Sequence, residues 1–266
     1  MLDKVEGPQG VTESNAPAGM TEAEWQARCD LAAAYRLASL YGWTDLNNTH
    51  FSLRVPATED EFLLNPFGMF FDEITASSLI KVNREGAVIG NADYPLNPAG
   101  FVIHGAIHLS EAAHNCVIHT HSRFGTAVAM QKQGLLPASQ KALTVMGWTG
   151  YHDFEGPALD ADEQPRIVRD LGDKRVLILR NHGLMTVGAT VGEAFVWMYR
   201  IETACRQQID ALSGGAELMP LSEATQAKSI DQGLKMYGKG GFIEVGLEWP
   251  ALLRQLERAG MDDYRV

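Results

Sequence analysis

The chain is short of cysteine. Three thiols, Cys29, Cys116 and Cys205, are too few and too scattered in 266 residues for a disulfide framework. An odd count with no secretory segment ahead of it leads us to expect reduced thiols in a cytoplasm. Positive charge is also scarce. There are 22 Lys and Arg against 33 Asp and Glu, a formal net charge of −11. No basic patch interrupts that excess, so a nucleic-acid backbone would be repelled. Long apolar runs are missing as well. None approaches the ~18 residues of a spanning helix, and the start MLDKVEGPQG has no signal-peptide core. The expectation is an acidic, soluble, cytoplasmic protein with neither nucleic acid nor membrane as partner.

What is present divides into three stretches. Residues 1–19, rich in Pro, Gly, Ser and Asn, are expected to be a disordered tail. A main domain over 20–215 opens at Thr21, which caps a helix to about Tyr41 while Glu24 reaches back in a capping box. The apolar stripe of that helix runs through Trp25, Cys29, Ala32 and Leu40, and Gly42 stops it. Short alternating or apolar runs at 50–55, 61–64 and 79–82 predict strands, with turn residues between them. A helix is predicted from Asn97 to about Ala113, a buried strand at 116–121 and a helix from Ser122 to about Gln133. Residues 134–160 read as irregular. A helix at 162–171, strands at 176–180 and 184–187, and a long helix at 191–212 complete the domain. A C-terminal extension, 216–266, carries one clear amphipathic helix near 249–258 and packs on the domain or on a neighbouring subunit. Interleaved strands and helices with continuous apolar strands predict an α/β fold. Its sheet is covered on both faces, a three-layer α/β/α arrangement.

Eight histidines carry the chemical signal. His119 and His121 lie two apart on a strand, so both leave the same face with Cα atoms about 6.5–7 Å apart. That spacing lets two imidazoles converge on one ion at bonds of about 2.1 Å. His182 follows the apolar strand 176–180 within Asn181-His182-Gly183, at a strand end where sheets place their sites. Three neutral His ligands leave a fourth position open, the mark of a catalytic ion. The bland alternatives are a satisfied histidine pair on the strand and a turn residue at 182. His108 and His114 read as surface or structural, and Cys116 as a buried small side chain facing away from the ligands. The run Gly233 to Lys239 matches a phosphate-loop pattern, but Gly240 replaces the hydroxyl residue and no apolar strand precedes it. It reads as a flexible turn.

The pair Val117-Ile118-His119-Thr120-His121 and, some sixty residues on, Leu179-Arg180-Asn181-His182-Gly183-Leu184 resemble the class II aldolase/adducin superfamily. So do PFGMFFDEITASSLIKV, NPAGFVIHGAIH, GLLPASQKAL and GYHDFEG, and the likeness runs from about Arg28 to Leu212. Several of these segments look most like the adducin head domain and the standalone bacterial proteins similar to it. The resemblance implies the class II aldolase fold. It also implies a divalent metal, zinc or else manganese, on His119, His121 and His182, and a homotetramer with sites at subunit interfaces. Trp249, Leu252 and Leu253 are then expected as packing anchors there.

Two departures shape the functional expectation. The aldolases carry an acid four positions before the residue matching His104, and that position here is Gly100. Proton transfer is then expected from His104, one helical turn on, or from Tyr151 and His152, with Glu155 behind them. The family's phosphate-holding positions match Thr49-His50, Phe67-Gly68 and Pro98-Ala99, which have lost most hydroxyls. The reading is a metal-dependent lyase, an aldolase or decarboxylase for a small non-phosphorylated hydroxy or oxo acid. An epimerase of the same metal class is the weaker catalytic reading. The alternative is a non-catalytic, adducin-like binding or scaffolding domain.

Overall fold

The computed structural model describes residues 16–90, 93–110, 114–157 and 160–266. The expectation for the tail therefore lies mostly outside the described residues. Helix α1 (Glu22–Leu40) begins where Thr21 Oγ1 accepts the Glu24 amide at 3.1 Å. The other half of the capping box is absent. Glu24 is buried and pairs with Arg28 and Lys81 at 3.1 and 3.3 Å. Nor is the helix a simple amphipathic stripe: Leu31 to Tyr35, Leu37 and Ala38 are all fully buried. Alanine on successive positions lets neighbours close on every side of these two turns.

The strands that follow are β1 (His50–Arg54), β2 (Phe62–Leu64), β3 (Ile80–Val82) and β4 (Val88–Ile89). Next come α2 (Pro98–His108), β5 (Cys116–Thr120), α3 (Arg123–Ala129), α4 (Gln140–Met146) and β6 (Thr149–His152). A short 3-10 turn leads into α5 (Gln164–Leu171), β7 (Val176–Leu179), β8 (Gly183–Gly188) and α6 (Val191–Ser213). The extension holds α7 (Glu223–Tyr237), α8 (Phe242–Val245) and α9 (Glu248–Ala259). Among the described residues these eight strands form one sheet in the order β4-β3-β2-β1-β5-β8-β7-β6, antiparallel except for the parallel pair β6–β7. Helices cover both faces, as the α/β expectation requires.

Alternation along the strands sorts the core. Phe51, Leu53, Cys116, Ile118, Val176, Ile178 and Leu184 face α1, α3 and α6. Val117, Leu177, Leu179, Met185 and Val187 face Ile103 and Ile107 of α2 and Ile167 and Leu171 of α5. On β1, however, the α2 side is polar, because His50 and Ser52 stand there.

Four expectations are corrected. Residues 134–160 are not irregular but contain α4, capped by Ser139, and edge strand β6. Its Thr-Gly-Tyr-His sequence shows no apolar run because only one neighbour pairs with it. Helix α2 ends at His108 rather than near Ala113, and residues 111–113 lie outside the described residues. Helix α3 ends at Ala129, short of Gln133. The Gly233 segment is no flexible turn: it closes α7, and an added Cβ at Gly233 would lie 2.3 Å from the Thr144 carbonyl oxygen of α4. The extension packs on its own chain. Trp249 sits against Gly192 and donates to Asp30 at 3.4 Å, while the Tyr264 and Val266 carbonyls accept the Ala76 and Ser77 amides.

Candidate metal centre

Two neighbouring strand ends build the site. Strand β5 stops at Thr120, so His119 is its last inward residue on the α2 face and His121 lies just beyond. The β7–β8 turn brings His182 beside them. Asn181 takes a left-handed backbone at φ +57°, which its short polar side chain tolerates. Gly183 is needed for close approach, since a Cβ there would lie 2.4 Å from the Thr120 carbonyl oxygen. In the Asn-His-Gly turn the first residue thus makes the bend, the second offers the ligand atom and the third allows the close contact.

The ring orientations specify the donor atoms. His119 donates from Nδ1 to the Leu184 carbonyl at 3.0 Å, and His121 donates from Nδ1 to the Asp45 carboxylate at 2.9 Å. Both rings therefore turn a lone pair inward at Nε2. Those two Nε2 atoms are 3.0 Å apart, and His182 Nε2 is 2.9 Å from that of His121. Two imidazole nitrogens so close are accommodated by a shared proton or by a cation between them. The donor set fits a divalent ion, and two of its three second ring nitrogens are held as such ligands require. Among the described residues these three are the one cluster of ligand atoms close enough to hold a metal. Burial, with its histidine neighbours, holds His119 well below the usual imidazole range and lowers His182 to about 4. Both are neutral, as ligands must be, at neutral pH.

The three proposed proton carriers are placed differently. His104 is 1% exposed and is not one of the clustered ligands. Its Nε2 lies 2.9 Å from His50 Nδ1 and its Nδ1 lies 2.6 Å from Ser52 Oγ, so His50 stands between it and the ligands. Tyr151 and His152 are on β6, not in a loop, and alternation sends them to opposite faces. Tyr151 turns to the α1 side, where its hydroxyl accepts the Leu135 amide at 3.0 Å and Arg180 stacks over the ring. His152 is on the ligand side, but both its nitrogens are engaged, by Asp170 at 2.8 Å and Glu163 at 3.1 Å. It borders a small crevice that also touches His182. Glu155 is paired with Arg166 at the surface. His108 and His114 are both buried.

Sequence reasoning missed Asp45 as the partner of His121. It sits in the loop between α1 and β1, where no local pattern separates it from other acids. It also left His50 as a matched phosphate position. A signal was available: His50 and Ser52 share a strand face, and His104 and His108 share a helix face.

Three converging histidines thus lie at the strand ends of a helix-covered mixed sheet, and that fold is the one of the class II aldolases. Residues 29–209 match the class II aldolase and adducin N-terminal domain, and the chain belongs to that family. A Caulobacter vibrioides protein, named only by class as an aldolase class 2 protein, is 51% identical over 90% of this chain and 92% of its own. Alpha-adducin of Rattus norvegicus is 40% identical over 88% of this chain, which spans 33% of the adducin. Among solved structures, an aldolase II superfamily protein from Pseudomonas syringae is 47% identical, with a TM-score of 0.84 over 93% of this chain and 98% of that one. L-fuculose 1-phosphate aldolase from Glaciozyma antarctica is 28% identical, with a TM-score of 0.77 over 95% and 98%.

Proposed function

We propose that this protein is a divalent-metal-dependent lyase, zinc being the first choice of ion, that cleaves or decarboxylates a small non-phosphorylated hydroxy or oxo acid. The observation that carries the reading is the meeting of three Nε2 atoms with the Nδ1 positions of His119 and His121 already tied. His119, His121 and His182 would hold the ion. Bound there, it supplies Lewis-acid stabilisation of negative charge developing on a substrate oxygen, worth several kcal/mol. The chain's own part is orientation: the Leu184 carbonyl and Asp45 fix two of the three rings. The phosphate-holding positions of the family offer little here. Pro98 has no N–H to give, and Phe67 carries no hydroxyl. That absence supports a substrate without phosphate.

Gly100 and the adducin likeness favour a second reading, a binding domain without turnover that keeps the fold. Metal analysis followed by a lyase screen separates the two. The expected outcome is close to one divalent ion per chain, lost in His119→Ala and in His182→Ala, with release of a carbonyl product or CO2 from at least one hydroxy or oxo acid. Full metal in both variants would sink the site. A metal-loaded protein inert to the screen, yet binding a partner protein regardless of chelator, would leave the binding domain. We also propose a homotetramer, as the family resemblance implies. A single monomeric mass by light scattering, with full activity, would remove it.

A further inference from the structure

We propose that His50 takes the place of the acid missing at position 100, so that an imidazole rather than a carboxylate forms the inner wall of the centre. It would thereby select ligands carrying their own carboxylate. This rests on the metal-centre reading above.

The space at Gly100 is already filled. A Cβ built there would lie 3.0 Å from His50 Cγ and 3.1 Å from Cδ2. An acid at 100 and a histidine at 50 therefore compete for the same volume, and this chain holds the histidine. Strand register then puts that ring beside the ligands. His50 is the direct partner of His119 across the β1–β5 pair, both side chains leave on the α2 face, and their ring centres are 5.0 Å apart. Both rings are almost wholly buried, whereas His121 and His182 are half-buried on the outer side.

The back of His50 is held. Its Nδ1 meets His104 Nε2 at 2.9 Å; His104 Nδ1 meets Ser52 Oγ at 2.6 Å; Ser52 Oγ meets His108 Nε2 at 2.6 Å. With Nδ1 committed to α2, Nε2 is the ring nitrogen left for the centre. This row consists of three imidazoles and one hydroxyl, each able to donate at one side and accept at the other. Run one way, it leaves a lone pair on His50 Nε2; run the other way, an N–H. A carboxylate alternates between accepting and donating only by taking up or losing charge. His104 is thus a positioning residue, acting through His50.

The exchange changes the charge that a ligand meets. A carboxylate on the inner wall would cancel one charge of a divalent ion, whereas a neutral imidazole cancels none. A centre of three imidazole ligands, its nearest carboxylate Asp45 one residue removed behind His121, leaves more of the ion's charge for the ligand. A chelating 2-oxo or 2-hydroxy carboxylate fits that field better than an uncharged hydroxyketone.

The test uses the full chain loaded with Co2+, followed by its visible spectrum, and oxalate as a chelating dicarboxylate probe. Wild type should bind one Co2+ per chain and then oxalate. His50→Gln and His50→Ala should keep Co2+ binding within about threefold but weaken oxalate about tenfold or more and alter the spectrum of its complex. His50→Glu, which restores the charge, should weaken oxalate further than His50→Gln. His104→Gln should weaken oxalate less than His50→Ala. In thermal unfolding, Gly100→Ala should lower the midpoint in wild type and much less in the His50→Ala background, because the obstructing ring is gone. Oxalate affinity unchanged in both His50→Ala and His50→Gln overturns the role of His50 while leaving the centre intact. Equal cost of Gly100→Ala in both backgrounds overturns the competition for space. Failure of wild type to bind Co2+ removes the metal centre and this role together.

Discussion

At the residue scale, the arrangement of the three histidines depends on atoms that are not ligands. Asp45 accepts from His121 and the Leu184 carbonyl accepts from His119, so the lone pairs point inward before any ion arrives. Loss of such a partner typically lowers metal affinity about 10–100-fold. Asp45→Asn should therefore weaken metal binding by that range yet keep the stoichiometry, which competition against a chelating dye will measure. Loss of metal altogether, as in His119→Ala, would mean that Asp45 is itself a ligand. Gly183 is equally specific, for a steric reason. Its Cβ would press on the Thr120 carbonyl, which cannot move without shifting β5. Gly183→Ala should cost roughly 1–3 kcal/mol in urea unfolding and should weaken metal binding through the displaced β8.

At the element scale, helices are held by caps, by cross-ties and by small residues at their contacts. Ser122 and Glu202 meet at 2.7 Å, tying the start of α3 to the middle of α6 directly behind His121. Thr190 caps α6 by accepting the Glu193 amide at 3.1 Å, and Thr190→Ala should cost about 1 kcal/mol. The packing of α7 on α4 depends on Gly233, which lies against Thr144 without a side chain. Gly233→Ala should lower stability by roughly 1–3 kcal/mol, although alanine is the better helix former, because overpacking outweighs propensity. Unchanged or raised stability in chemical unfolding would show that α7 gives way easily. These same elements show where local pattern failed. The Gly at 233 reads as a breaker in sequence, and only the neighbouring helix explains it.

At the scale of the whole molecule, buried neutral histidines make folding depend on pH. Burial, then the charge of Arg54, lowers His108 to about 3; burial, then Arg175, lowers His114 to about 4. In the unfolded chain both titrate near 6.5. Below that pH the unfolded state binds more protons than the folded one. Stability is therefore fully present above about pH 6.5 and is lost as pH falls toward the folded values. Each group contributes at most about 1.4 kcal/mol per pH unit in that window. Urea unfolding of chelator-treated protein at pH 7, 6 and 5 should show falling stability, and His114→Gln should flatten the slope. A flat profile in the parent chain would contradict it.

The sequence alone determined what rests on local periodicity and turn chemistry. The period of two along a strand put His119 and His121 on one side. The conformational needs of a tight turn explained Asn181 and Gly183 around His182. Continuous apolar strands between helices implied a sheet covered on both faces. What only tertiary structure decided was which distant pieces meet. The opposite faces of Tyr151 and His152 followed from a strand that local propensity did not reveal. Asp45 reaches His121 because the loop after α1 ends beside β5, a juxtaposition with no residue code. The glycine at 100 is a departure in sequence and becomes a close contact in space, because the register of β1 on β5 brings the His50 ring against the position an added Cβ would take. Local chemistry is written along the chain, whereas competition between side chains for one volume exists only once the chain has folded.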